Sequence, residues 1–219
     1  MIQAAVFDMD GLLIDSEPFW RKSHIEILGK YGFILTDDDV RTMAGHRTDE
    51  VVQNWKDRFG WKEPNNQIIE EQIVQNVKEL ISLNGFALPG VYTLIDLFES
   101  KKIPMAVASS SSPDLINAVL IHLNIKKHMS VIHSAKQEEF GKPHPGVFLT
   151  TAKKLDISPG ECLVFEDSPS GVQAAISAGM KCIAVPEIPH DKSKFAYASL
   201  IVNSLNDVTW PTIKKLFKS

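Results

Sequence analysis

The sequence predicts an α/β fold: a doubly wound parallel sheet with a helical segment inserted after its first strand. Three observations carry this. Short runs rich in Val, Ile and Ala recur along the chain, helix-start signals follow them, and between about residues 16 and 88 the strand runs stop while helical patterns continue. Buried strands alternating with helices at this spacing argue for a parallel sheet covered on both faces.

The first strand is read over residues 2–7 and ends abruptly in Asp8-Met9-Asp10-Gly11. The insert then shows helical patterns at residues 19–31, 38–43, 49–59 and 67–83, and holds Trp20, Trp55 and Trp61, three of the four tryptophans. Leu88-Pro89-Gly90 marks the return to the main body. Further strands are expected at residues 105–108, 131–133, 162–165 and 182–185, with a short sixth at 200–202. Ser112-Pro113-Asp114, His144-Pro145 and Ser168-Pro169 set helix starts, since a capping side chain followed by proline suits the first helical positions. Asn124 and Gly179 stand where helices should stop. The expected division is a core of residues 1–15 and 89–219 and a helical cap of residues 16–88.

A chain of 219 residues can bury one substantial core and carry a smaller insert. A net charge of −4 gives no sign of affinity for nucleic acid or anionic membrane. No apolar run approaches the length that spans a bilayer, and Met1-Ile2-Gln3-Ala4 leads straight into a strand, so no signal peptide is expected. The two cysteines, Cys162 and Cys182, are read as buried free thiols. A cytoplasmic monomer is expected, acting on a small molecule.

The chemistry sits at strand ends. Asp8 and Asp10, two residues apart, would leave the first strand on the same side, and carboxylates that close repel unless a cation or shared proton intervenes. Taken alone, an Asp-Gly hairpin turn is the ordinary alternative. After the strand at 105–108 comes a run of serines, in which Ser109 and Ser110 are candidate anion ligands and Ser112 a helix cap. Lys142 lies in the proline-limited segment Gly141-Lys142-Pro143-His144-Pro145. Glu166 and Asp167 end the strand at 162–165 and precede a helix, where a helix dipole alone would satisfy them. In a doubly wound sheet, ligands bind outside the carboxyl ends of the strands. Acid, hydroxyl, lysine and acid along one edge make a site for a hard divalent cation beside an anion.

In these motifs the chain resembles the haloacid dehalogenase superfamily of phosphohydrolases, whose four motifs occur here in order. They are Phe7-Asp8-Met9-Asp10-Gly11, Ser109, Lys142 and Glu166-Asp167. The resemblance runs end to end and is greatest toward the branch of β-phosphoglucomutase and 2-deoxyglucose-6-phosphate or sugar-alcohol phosphatases. It implies a Rossmann-like core with an inserted α-helical cap, Asp8 as nucleophile forming an aspartyl phosphate, and Asp10 as general acid and base. It also implies Mg²⁺ held by Asp8, Asp10 through its backbone carbonyl, and Asp167, with Glu166 binding directly or ordering the metal's waters. Ser109, Ser110 and Lys142 would hold the phosphoryl oxygens.

The implied function is hydrolysis of a small sugar, sugar-alcohol or related phosphate monoester. The alternatives are a sugar phosphomutase using the same site and a pseudouridine or nucleotide 5′-phosphatase. The mutases carry a histidine in the first cap helix where this chain has Trp20, which favours the phosphatase. Specificity is expected from cap residues Glu17, Trp20, His46 and Arg47, although Trp20 also reads as packing within the insert and Arg47 as a solvated surface charge.

Overall fold

The computed structural model describes residues 1–187 and 191–218. Its sheet is six-stranded and all parallel: β1 (Ala4–Phe7), β2 (Met105–Ser109), β3 (Met129–Ser134), β4 (Cys162–Glu166), β5 (Lys181–Ala184) and β6 (Leu200–Ile201), in the order β3-β2-β1-β4-β5-β6. The order reverses at β1, so the ends of β1 and its neighbour β4 bound the crevice where this architecture binds ligands.

Side-chain alternation separates the two faces. One carries Ala5, Phe7, Met105, Val107, Leu163, Phe165 and Ile183; the other carries Ala4, Val6, Ala106, Ala108, Cys162, Val164, Cys182 and Ala184. The first face is covered by α5 (Val91–Ser100), α6 (Pro113–His122) and α9 (Trp210–Leu216), numbered with the four helices of the insert described below. There Phe7 stacks on Phe165 at 5.1 Å between centroids and Phe98 meets both edge-on. Each of these rings contributes on the order of 2 to 3 kcal/mol by leaving water. The second face, built of alanines, valines and cysteines, takes α7 (Gly146–Leu155) and α8 (Pro169–Ser177). Both cysteines are buried and free.

Between β1 and α5 lie α1 (Glu17–Lys30), α2 (Asp37–Arg41), α3 (Thr48–Phe59) and α4 (Asn66–Asn84). Ile69, Ile73, Val77 and Ile81 repeat every fourth residue along α4, placing one apolar stripe against Ile27 and Leu28 of α1 and Val51, Val52 and Trp55 of α3. The insert begins and ends on adjacent chain crossings. Ile14 pairs antiparallel with Ala87, Asp15 N–H donates to Phe86 O at 3.3 Å, and Leu88 N–H donates to Leu13 O at 3.3 Å. Such a two-strand crossing is a natural hinge.

All six expected strands form, with ends shifted by up to two residues. Helix α1 starts at Glu17 rather than residue 19, because Pro18 occupies a first-turn position where its missing N–H costs nothing. Two helices were not singled out in the sequence. In α5 the pattern is present, with Val91, Leu94, Ile95 and Phe98 on one buried face. Helix α9 is seven residues long, too short to show a period, and is set by Thr209 accepting from Thr212 N–H at 3.3 Å.

Candidate active site

Asp8 extends β1 by one residue: its N–H donates to Phe165 O at 3.0 Å, which locks its backbone beside the end of β4. The residue is 3% exposed. Lys142, 1% exposed, donates to Asp8 Oδ1 and Glu166 Oε1, each at 2.6 Å, and to Ala108 O at 3.3 Å. All three ammonium protons are thereby committed. The longest bond, to Ala108 O, is the one an incoming anion would replace at least cost. Burial opposes charge on Lys142, but the Asp8 and Glu166 carboxylates push its pKa upward and keep it cationic.

Glu166 is fully buried, and besides Lys142 it accepts from Ser168 N–H at 3.0 Å and Ser168 Oγ at 2.9 Å. A Cβ at Gly171 would overlap its carboxylate, so glycine is required there to seat it. Ser168 in turn accepts from Gly171 N–H at 3.1 Å, serving at once as cap of α8 and clamp on Glu166.

Asp8, Glu166 and Asp167 each bring an oxygen within 4.8 Å of the others. Burial raises Asp8 to about 8 although Lys142 lowers it, with Glu166 and Asp10 adding to the rise. Asp167 is raised well above the carboxylate range by burial, then by Glu166, Asp8 and Glu17. One lysine therefore faces several carboxylates. Gly11, at φ +70°, leaves open the space beside Asp167 that a Cβ would fill. Hard oxygen donors, surplus negative charge and an open place beside the least-bonded carboxylate fit a hard divalent cation. Because three of the acceptor positions of Glu166 are in use, Asp8 and Asp167 are the freer ligands. The Asp10 side chain stands outside this cluster.

Asp10 is instead held from three sides. Ser16 Oγ and Trp20 Nε1 donate to its Oδ1 at 2.7 and 2.8 Å, and Ser111 Oγ donates to Oδ2 at 2.7 Å. Ser109, 1% exposed, accepts from Ser111 N–H at 3.1 Å, which leaves its hydroxyl proton free to donate. Ser110 Oγ donates to Gly45 O at 2.8 Å and so faces the insert. Ser112 accepts from Leu115 N–H at 3.4 Å and caps α6.

A cavity between the two parts of the chain is lined by Asp8, Asp10, Ser109, Ser110 and Ser111 on the core side. On the insert side it meets Glu17, Trp20, His24, His46 and Thr48 with Val40, Met43 and Val51. Glu17 is raised to about 7 by burial and by Asp10, against the pull of Arg21. His46 Nδ1 lies 3.2 Å from Met43 O.

Arg47 does not line this cavity. It donates to Glu138 O at 2.9 Å and Ala135 O at 3.3 Å, and pairs with Asp49 at 2.6 Å. It is thus neither directed at the cavity nor solvated, but fastens the insert to the loop leading to Lys142. Glu50 reinforces that contact by accepting from Gly141 N–H at 3.0 Å. A second fastening joins Glu187, just past β5, to Arg41 at 2.8 Å and Arg21 at 3.3 Å.

Sequence reasoning missed Ser16, Ser111 and Ser168, which hold the acids, and Glu50 and His24. Ser168 was visible as a helix cap. Nothing in a run of four serines distinguishes Ser111 from its neighbours.

The profile of the family described as haloacid dehalogenase-like hydrolase matches residues 5–185. Hexitol phosphatase B of Escherichia coli K12 is 33% identical over 211 residues, covering 95% of each chain. A probable pseudouridine-5′-phosphatase of Drosophila melanogaster is 31% identical over 212 residues, covering 92% of this chain and 89% of that one. Among solved structures, a β-phosphoglucomutase from Clostridium difficile superimposes with a TM-score of 0.86 at 26% identity, covering 99% of this chain and 97% of the other.

Proposed function

Since the chain belongs to the haloacid dehalogenase-like hydrolases, we propose that it is a Mg²⁺-dependent phosphatase of a hexitol or other small sugar phosphate, working through an aspartyl phosphate on Asp8. The observation that carries this reading is the meeting of Asp8, Lys142, Glu166 and Asp167 at the point where the strand order reverses.

In this reading residues 1–15 and 89–219 are the catalytic core and residues 16–88 the cap. The Asp8 carboxylate attacks phosphorus, and the Ser109 hydroxyl, the Ser110 backbone N–H and Lys142 hold the phosphoryl oxygens, the Ser110 hydroxyl being spent on Gly45 O. As the ester bond breaks, the leaving oxygen takes a proton from Asp10, and Asp10 later takes one from the water that hydrolyses the aspartyl phosphate. Asp8, Asp167 and the Asp10 backbone carbonyl would hold Mg²⁺, which when bound offsets the repulsion between an anionic nucleophile and an anionic phosphate. Glu166 fixes Lys142 and orders the metal's surroundings.

The cap side of the cavity supports a polyol leaving group. Glu17, His46 and Thr48 can bond hydroxyls, while Trp20, Met43 and Val51 offer apolar surface. Among the described residues, no lysine or arginine lines that side. A phosphomutase must hold a bisphosphate, whose second phosphate needs cationic partners. With Arg47 turned to the Ala135 and Glu138 carbonyls, this observation weighs against the mutase despite the likeness to β-phosphoglucomutase. Buried free thiols suit a reducing compartment, and the reading takes the enzyme as a cytoplasmic monomer.

The test is a phosphate-release screen with Mg²⁺ across sugar, hexitol and nucleoside monophosphates, including pseudouridine 5′-phosphate. Release from hexitol or sugar phosphates supports the reading. Conversion of β-glucose 1-phosphate to glucose 6-phosphate without free phosphate would replace it with the mutase.

A further inference from the structure

We propose that Trp20 is a positioning residue that fixes which oxygen of Asp10 handles the proton and ties this to a seated cap. The proposal rests on the phosphatase reading above and adds a role for the cap in the chemical step itself.

The argument begins with donor inventory. Of the three groups on Asp10, Ser16 and Ser111 carry hydroxyls, which rotate and can donate or accept. The Trp20 indole N–H, 2.8 Å from Oδ1, can only donate. Oδ1 is therefore committed as an acceptor, because a proton placed there toward Trp20 would meet another proton. That assigns the mobile proton to Oδ2, the oxygen facing Ser111 in the loop after β2. Ser109 and Ser110, the candidate phosphoryl ligands, belong to the same loop and line the same cavity. When the ester bond breaks, its electron pair goes to the leaving oxygen, which forms its new O–H bond with the proton from Oδ2.

The second part of the argument is connectivity. Trp20 sits in α1 of the cap, whereas Asp10 and Ser111 belong to the core. When the cap lifts about the crossing at Ile14 and Ala87, the indole leaves Asp10 with it. Oδ1 then keeps only Ser16, at the hinge itself, whose hydroxyl can accept as well as donate, so a proton on Oδ1 is no longer excluded. Proton transfer is thereby confined to the closed state, where water is excluded. Trp20 has thus a role distinct from gripping substrate hydroxyls, although it also lines the cavity.

Trp20→Phe keeps the ring and removes the donor, and Trp20→His restores an N–H. The substrates are p-nitrophenyl phosphate, whose phenolate leaves without help, and a hexitol phosphate, whose alkoxide must be protonated. For Trp20→Phe, the single-turnover rate of leaving-group release, read alone because Asp10 also serves the later hydrolysis on both esters, should fall at least about tenfold more on the hexitol phosphate than on the aryl ester, part of the range that general acids supply. KM should change little, and Trp20→His should recover part of the loss. In an Asp10→Ala background, Trp20→Phe should have no further effect on the hexitol phosphate.

Equal losses in that single-turnover rate on both esters, or a raised KM with that rate unchanged, would overturn the proposal by making Trp20 a packing or substrate-contact residue. Independently of activity, the Trp20 indole N–H resonance should move in Asp10→Ala while those of Trp55, Trp61 and Trp210 stay. An unmoved resonance would remove the contact on which the proposal stands. A wild-type enzyme inert on both esters would instead sink the phosphatase reading.

Discussion

Lys142 Nζ stands 2.6 Å from Asp8 Oδ1 in a pocket that leaves the lysine 1% exposed, and the same ammonium reaches Glu166 at 2.6 Å. An ion triad this buried adds little net stability when complete, yet removing its one cation strands two carboxylates. Lys142→Met should therefore lower unfolding free energy by about 3 to 5 kcal/mol. It should also reduce phosphate release by more than about a thousandfold, as expected for loss of a preorganised charge on the phosphoryl group. Urea unfolding and single-turnover phosphate release check the two effects separately. A variant of wild-type stability would show that Asp8 and Glu166 are not paired through this lysine.

The crowding of Asp8, Glu166 and Asp167 around one lysine makes a cation stabilising before any substrate arrives. Mg²⁺ at about a hundred times its dissociation constant should add about 2.7 kcal/mol to the folded state. Asp167→Asn should lose most of that gain. The variant should also be somewhat more stable than wild type in EDTA, because a buried surplus charge has gone. Thermal unfolding with EDTA and with Mg²⁺ makes the comparison, and equal Mg²⁺ shifts in both proteins would take Asp167 out of the metal site.

How much of this could be read from the chain differs by residue. Asp8, Ser109, Lys142 and Glu166 stand at ends of strands or in rigid loops, so a correct strand order brings them together almost without regard to side-chain detail. All six strands were legible because buried parallel strands are unbroken apolar runs. What holds the acids was not legible. Trp20 meets Asp10 through the seating of the cap on the core, and Ser16 and Ser111 through the conformations of their loops, none of which a periodicity reports. Arg47 illustrates the same limit: its charge was visible, but its partners are backbone carbonyls of Ala135 and Glu138, which every sequence has.

Arg47 also yields a discriminating prediction. If it fastens the cap, Arg47→Ala should lower kcat/KM by a similar factor, about three- to tenfold, for every phosphate ester tested, since each loses the same closure energy of about 1 kcal/mol. A residue that gripped a second phosphate would instead give a loss confined to bisphosphates. Steady-state kinetics on a hexitol monophosphate and a hexose bisphosphate separate the outcomes.

Gly45 lies in the cap loop that rests on the core. Its φ is +80°, and an added Cβ would come within 2.7 Å of Ser170 Oγ and Ser168 Cβ. Gly45→Ala therefore suffers twice, from a left-handed backbone costing about 1 to 2 kcal/mol and from a contact that cannot close. The second effect acts only on the closed cap, so kcat and KM should both worsen, and crystals or scattering should show a more open molecule. Wild-type kinetics would mean that this loop does not need to seat.

His24 gives a prediction that concerns stability rather than catalysis. It is 4% exposed on α1, its Nδ1 is buried without a hydrogen-bond partner, and burial lowers its pKa to about 4 from 6.5. Between those values the unfolded chain binds a proton that the folded one refuses, so acid favours unfolding. The contribution is intact above pH 6.5 and lost as pH falls toward 4. At pH 5 the loss amounts to about 2 kcal/mol. His24→Leu removes the titration and also the unpartnered nitrogen. Its urea midpoint should therefore stay near wild type at pH 7.5 and exceed it at pH 5. Carboxylates titrate in both proteins and cancel in the difference, which leaves the excess at pH 5 as the measure of His24. If the two proteins lose stability in parallel between pH 7.5 and 5, the imidazole is reaching water or a partner, and the packing of α1 over the cavity is looser than its burial implies.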